Sequence, residues 1–213
     1  MVTNKMAEID FEINKIKNIV FDVGGILVGY RWIDMFKDHG TDADTALRVG
    51  KGLFDSENWK LYDAGIISSQ ELIDRFCEAH PDLEEEARWF LNNAIQMRVL
   101  RHRVYEEVKR IKEKGYKLYI LSNYSHDLFE LHTSDLPFRK LMDGELVSYM
   151  INAVKPEKKI YETLIDRFDL DPSETVFFDD RLDNIEGAKT CGINGIHIKD
   201  EDENLLLSYL SQF

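Results

Sequence analysis

The chain has 213 residues, 44% of them hydrophobic and 31% charged, with a net charge of −13. That length buries a substantial core and suits one domain with an insertion or two small ones, of ordinary soluble globular composition. The acidity argues against nonspecific binding of nucleic acid or an anionic membrane, and any anionic ligand must meet local positive charge from a metal, a lysine or helix N-termini. Residues 1–17 form a polar lead-in, read as a short helix over one sheet edge. The run from Asn18 to Val28 then begins as an apolar β-branched strand, carries Asp22 near its end, and turns on Gly24 and Gly25.

Over 30–96 the apolar spacing becomes helical. Trp32 and Phe36, then Ala46, Leu47 and Leu53, then Leu72, Ile73 and Phe76, then Leu83, Ala87, Phe90, Leu91 and Ala94 mark successive faces. Glycines at 40, 50, 52 and 65 and Pro81 punctuate them, and Ser68 and Ser69 suit a helix start. From Arg101 helices and strands alternate. Val104, Val108 and Ile111 mark a helix ending at Gly115; a strand covers 116–121 and a helix 126–132. A short strand is predicted at 145–150, and Pro156 is read as the first residue of a helix running to Phe168. A strand at 175–178 leads into Asp179-Asp180, then a helix at 184–191, a strand at 195–198 and a helix near 204–210. This alternation implies a parallel α/β sheet with right-handed crossovers.

Ligands in such sheets bind outside the carboxyl ends of the strands. Four places fall there: Asp22, Ser122-Asn123, Lys155-Pro156 and Asp179-Asp180. Singly each has a plain structural reading, as a turn cap, a helix cap, a surface lysine and acids at a helix start. Their order is much harder to dismiss. The segments Ile19-Val20-Phe21-Asp22-Val23-Gly24-Gly25, Ile120-Leu121-Ser122-Asn123, Val154-Lys155-Pro156-Glu157 and Val176-Phe177-Phe178-Asp179-Asp180-Arg181-Leu182-Asp183-Asn184 together resemble the four motifs of the haloacid dehalogenase-like (HAD) hydrolase superfamily. The stretch 177–188 looks most like the branch acting on sugar phosphates such as glucose 1-phosphate.

The resemblance implies a Rossmann-like parallel core over 1–29 and 98–213 and a small all-helical cap inserted at 30–97. It also implies a Mg²⁺-dependent phosphomonoester hydrolase. Asp22 would be the nucleophile; Ser122, Asn123, Lys155 and the backbone at Gly24 would hold phosphate. Mg²⁺ would sit on Asp22, Asp180 and the Gly24 carbonyl, with Asp179 and Asn184 giving support from behind these ligands or through water.

One departure matters: the family's phosphatases carry a second aspartate two residues after the nucleophile, where this chain has Gly24. That removes a proton-transfer contribution worth about 10²–10⁴-fold. His126, Asp127 or cap residues could replace it, a good leaving group could dispense with it, or the chain could bind phosphate without turnover. If the site merely lacks its acid, Gly24→Asp should raise activity. A dehalogenase ranks lower, because dehalogenases generally lack the acidic pair retained here as Asp179-Asp180.

Trp32, Trp59, Tyr62 and Trp89 could stack on a sugar but also suit a cap core. The histidines at 39, 80, 102, 132 and 197 have no ligand spacing and read as structural or exposed. The two cysteines, Cys77 and Cys191, read as reduced thiols of a cytoplasmic protein, with no signal peptide or membrane span expected. The expected partner is a small phosphorylated metabolite, with no nucleic acid and no membrane; monomer and homodimer stay open.

Overall fold

The computed structural model describes residues 9–213. Five parallel strands form the central sheet: β1 (Asn18–Phe21), β4 (Lys117–Ser122), β5 (Gly144–Val147), β6 (Thr175–Asp179) and β7 (Asn194–His197), in the order β5-β4-β1-β6-β7. The first strand thus lies at the centre, with the chain passing to either side of it. Ile19 and Phe21 point to one face and Val20 to the other, and both faces are fully buried, which is why the strand reads as a continuous apolar run. On one side Val20, Tyr119, Leu121 and Phe177 pack under α8 (Lys158–Phe168) and α9 (Leu182–Thr190). On the other, Phe21 stacks on Phe178 at 5.7 Å, and α6 (His102–Glu113), α7 (His126–Thr133) and α10 (Glu203–Leu210) contribute Val108, Phe129 and Leu206.

Between β1 and β4 the chain leaves the sheet through β2 (Val28–Tyr30) and returns through β3 (Arg98–Leu100), which pair antiparallel in a separate two-stranded ribbon. Five helices lie between them: α1 (Trp32–His39), α2 (Ala43–Phe54), α3 (Glu57–Asp63), α4 (Ser69–Ala79) and α5 (Glu84–Asn92). Their starts follow from local chemistry. Asp42 caps α2, Ser56 caps α3, and Ser68 with Glu71 forms a full capping box on α4. Their apolar faces meet in an aromatic cluster in which Phe36 stacks on Phe90 at 5.3 Å and Trp59 meets Phe54 edge-on.

The end of α3 is fastened to the core. The Ser148 hydroxyl donates to the Asp63 carbonyl and accepts from the Tyr124 amide, while Asn152 Nδ2 donates to the Ala64 carbonyl at 2.8 Å. Gly65, at φ +68°, lies against Tyr149, where a Cβ would stand 3.1 Å from the Tyr149 Cα.

The sequence reading did not contain the ribbon of β2 and β3 or helix α3; the elements it named follow in the expected order, and three of them differ in extent. Pro156 does not open α8, which starts at Lys158: Val154–Glu157 forms its own turn, closed by the Glu157 amide on the Val154 carbonyl at 2.8 Å. The strand expected at 145–150 ends at Val147 and gives way to a 3-10 turn. Of the lead-in helix expected at 1–17, residues 1–8 lie outside the described residues, and 13–15 make one 3-10 turn. Cys77 and Cys191 are free thiols, and among the described residues no helix is long and apolar enough to cross a membrane.

Candidate active site

Register brings the motif residues together. Phe21 pairs with Ile120 on one side and with Phe178 on the other, so Asp22, Ser122 and Asp179 emerge together at the carboxyl rim. Beyond Asp22 the chain must turn at once: the Leu27 and Val28 amides both bond the Val23 carbonyl. Gly25 takes φ +68°, and a Cβ there would lie 2.8 Å from Asp180 Cγ, so only glycine lets the turn approach that carboxylate.

Asp22 Oδ1 accepts from Ser122 Oγ at 2.6 Å, from the Val23 amide at 2.7 Å and from Lys155 Nζ at 3.0 Å. Among the described residues no hydrogen bond reaches Oδ2, which is left for chemistry. Lys155 Nζ also donates to Asp179 Oδ2 at 2.6 Å and to the Leu121 carbonyl at 3.0 Å. Its main chain is held by Asn123, whose side chain accepts from the Lys155 amide and donates to the Lys155 carbonyl. Asp179 is saturated: it also accepts from the Arg181 amide and from Asn184 Nδ2. Asp180 is different, because among the described residues no hydrogen bond occupies its carboxylate.

The electrostatics follow from this packing. Burial raises Asp22 to about 6, with Lys155 pulling it down and Asp179 pushing it up. Burial, then repulsion from Asp22 and Asp179, raises Asp180 to about 7. Burial works against the charge on Lys155, but Asp179 and Asp22 outweigh it and hold its pKa above the ordinary lysine value. Asp22, Asp179 and Asp180 each offer an oxygen within 4.8 Å of the others. Three carboxylates against one ammonium leave an excess of two negative charges, which matches one divalent cation. An all-oxygen donor set suits Mg²⁺, and Asp22 and Asp180 are the members with oxygens to spare.

These groups open on a cleft of about 710 Å³, within the range of small-molecule sites. Its far wall comes from the helical insertion: Trp32, Phe54, Trp59, Lys60, Asp63 and Met97. Every residue singled out from the sequence for the site (Asp22, Gly24, Ser122, Asn123, Lys155, Asp180, Asn184) lines the cleft, except Asp179, which is fully buried beneath it. Of the suggested acid replacements, His126 and Asp127 do not reach it, whereas residues of the insertion do. His126 is exposed with its ring edge-on to Tyr149, and Asp127 accepts from the Tyr62 hydroxyl at 2.8 Å outside the cleft. Trp89 is also elsewhere, stacked on His39 at 3.7 Å.

Among the lining residues that sequence reasoning did not single out are Asp63 and Tyr30. Asp63, at the C-terminus of α3, is raised to about 7 chiefly by burial, against a hydrogen bond from the Ser125 amide and with Asp22 adding repulsion. Tyr30 ends β2 beside Gly24. Neither has a motif around it; each is brought in by the insertion.

A protein called sesquiterpene phosphatase astK, from Aspergillus oryzae, is 25% identical over 189 residues, covering 86% of this chain and 90% of that protein. D-ribitol-5-phosphate phosphatase of Bacteroides thetaiotaomicron is 28% identical over 196 residues, covering 83% and 89%. Among solved structures, a HAD family enzyme of Bacteroides thetaiotaomicron in complex with magnesium and inorganic phosphate superposes with a TM-score of 0.68 at 22% identity. It covers 88% of this chain and 96% of that one. The family model for haloacid dehalogenase-like hydrolases matches residues 16–192, and with the fold and rim geometry above, the chain belongs to that family.

Proposed function

We propose that this chain is a Mg²⁺-dependent phosphomonoester hydrolase of small metabolites, with sugar phosphates as the favoured class. The observation that carries the reading is the convergence of Asp22, Ser122, Lys155 and Asp180 on one cleft, with Asp22 Oδ2 free of hydrogen bonds among the described residues. The relatives named as phosphatases, and the neighbouring structure holding magnesium and phosphate, support it.

Asp22 Oδ2 attacks phosphorus as the ester oxygen leaves, giving an aspartyl-phosphate that water then hydrolyses to phosphate and free Asp22. Ser122 Oγ, which donates to Asp22 Oδ1 here, would turn with the Gly24 amide to the non-bridging oxygens of a bound phosphate, with Asn123 fixing the Lys155 backbone beside them. The Lys155 ammonium offsets the repulsion between the Asp22 carboxylate and the incoming dianion. Asp22, Asp180 and the Gly24 carbonyl would hold Mg²⁺, with Asp179 and Asn184 behind them, and the ion would supply charge neutralisation and orientation of the phosphoryl group. Trp32 and Trp59 on the cap side offer ring faces to a sugar, and Glu57 and Lys60 beside them offer partners for its hydroxyls.

The experiment is phosphate release from a panel of metabolite esters with Mg²⁺. Turnover on a sugar phosphate that vanishes in Asp22→Asn is the expected result. A second reading, a phosphate-binding protein without turnover, is favoured by Gly24; binding of Mg²⁺ and phosphate with no release from any ester would establish it instead.

A further inference from the structure

The position left vacant by Gly24 is filled. A Cβ on Gly24 would lie 3.0 Å from Tyr30 Cε2 and 3.1 Å from the Tyr30 hydroxyl. The phenol therefore occupies the volume that an aspartate side chain at 24 would enter. Tyr30 also lines the same cleft as Asp22, Ser122 and Lys155.

Behind it runs a buried chain of hydrogen bonds. The Tyr30 hydroxyl contacts the Tyr124 hydroxyl, which bonds His132 Nδ1 at 3.0 Å, and His132 Nε2 bonds the Ala94 carbonyl at 3.0 Å. Tyr124 and His132 are both buried, His132 completely. A carbonyl only accepts, so Nε2 carries a hydrogen, and in the neutral ring Nδ1 is an acceptor. Tyr124 then donates to Nδ1 and Tyr30 donates to Tyr124. The direction is fixed by the Ala94 carbonyl, and it leaves the lone pairs of Tyr30 available to the cleft. Such a chain is more than the packing of a ribbon residue needs, since a phenylalanine at 30 would fill the same volume.

We propose that Tyr30, backed by Tyr124 and His132, carries out the proton transfers that an aspartate at position 24 would otherwise perform. This deepens the phosphatase reading and rests on it. When water attacks the aspartyl-phosphate, its oxygen bonds to phosphorus and the bond from phosphorus to Asp22 breaks. The proton released by water passes to Tyr30, the Tyr30 proton to Tyr124, and the Tyr124 proton to His132 Nδ1, leaving an imidazolium. In the preceding half-reaction the transfers run the other way, starting from the imidazolium, the form that burial of His132 disfavours and in which the hydrogen bonds reverse, Nδ1 donating to Tyr124 and Tyr124 to Tyr30. The imidazolium gives a proton to Tyr124, Tyr124 to Tyr30, and Tyr30 to the ester oxygen as that oxygen separates from phosphorus. Each turnover returns the proton it used, and no free tyrosinate is needed. Tyr30 is the catalytic group; Tyr124 and His132 act through it.

The test compares leaving groups with Mg²⁺ present. In Tyr30→Phe, turnover of alkyl phosphates should fall about 10²–10⁴-fold, the usual worth of a general acid–base. With p-nitrophenyl phosphate, whose leaving group needs no proton, the same variant should release a burst of one nitrophenolate per enzyme. The phosphoenzyme should then accumulate. Tyr124→Phe should steepen the dependence of rate on leaving-group pKa, which a merely structural role would not do. Gly24→Asp alone should bring no gain because Tyr30 is in the way, whereas Gly24→Asp with Tyr30→Ala should recover activity lost in Tyr30→Ala. Absence of the nitrophenolate burst in Tyr30→Phe, or no loss of turnover with either ester, overturns the proposal. So does transfer of the leaving-group dependence to Asp63→Asn. If the wild-type protein binds phosphate yet turns over neither ester, the phosphatase reading itself fails and the relay falls with it.

Discussion

At Gly25 a single methyl group would disturb both backbone and site. Its φ of +68° disfavours any side chain, and the Asp180 carboxylate lies across the space a Cβ would take. Gly25→Ala should cost about 1–3 kcal/mol in urea unfolding, as expected for a strained backbone position. It should also weaken Mg²⁺ binding measured by calorimetry. Gly115 is the control: φ is +97° but nothing lies within 4 Å, so Gly115→Ala should show only the backbone penalty of about 1–2 kcal/mol and leave metal affinity alone. Lys155 is a second sensitive residue. Lys155→Met strands Asp22 and Asp179 in the interior with no opposite charge, and should cost about 3–5 kcal/mol without metal. Added Mg²⁺ should recover part of that stability, measured as a rise in Tm. The candidate site residues were legible in the sequence largely because polar groups close apolar strands, Asp22 just after β1, Ser122 at the end of β4 and Asp179-Asp180 at the end of β6. Tyr30 and Asp63 were not. An aromatic at a strand end and an acid closing a short helix look like packing and surface until the chain is folded around Gly24.

Among the elements, α4 offers a clean measure of local coding. Its box reads directly from Ser68 and Glu71, and Ser68→Ala should lower stability by about 1 kcal/mol with no effect on ligand binding. Ser148 couples two parts of the chain. Its hydroxyl joins the Asp63 carbonyl to the Tyr124 main chain, so Ser148→Ala leaves polar groups unpaired on both sides and should cost about 1–3 kcal/mol. The same variant should raise proteolytic cleavage within 30–97, checked by limited digestion. Four helices of the insertion, α1, α2, α4 and α5, were readable from apolar spacing, whereas α3, with seven residues, was too short to show a period. The ribbon of β2 and β3 was not readable either: each strand has three residues, and its partner lies across the whole insertion, so no local pattern announces it. Pro156 misled for a related reason. It favours a helix start in general, but here the preceding residue, Lys155, reaches Asp22, and a turn intervenes before α8.

For the whole molecule, pH sensitivity should come in part from His132. Burial, with Arg98 adding repulsion, holds its pKa below the ordinary histidine value, although the Ala94 carbonyl works the other way. Tyr30 and Tyr124 are the titratable groups facing its ring, and neither carries charge near neutrality. Below the unfolded pKa of about 6.5 the unfolded chain takes up a proton that the folded chain refuses, so this contribution to stability is intact above that pH. It is lost as pH falls from about 6.5 toward the lower folded value. Asp22, Asp63 and Asp180, raised to about 6, about 7 and about 7, act in the opposite sense over the same range, so His132 is read by difference: from pH 7.5 to 5.5 the urea midpoint of His132→Gln should rise relative to that of the wild type.

The two-stranded ribbon is also the stalk on which the helices sit, and Tyr30 is its last residue before α1. Any swing of those helices that bends the stalk also carries the phenol away from Asp22. A half-shut enzyme would then be chemically mute, able to admit or discharge a molecule without spending the phosphoryl group on stray solvent. Timing would thus be written into the hinge itself, with no separate sensor needed to report that the chamber is sealed.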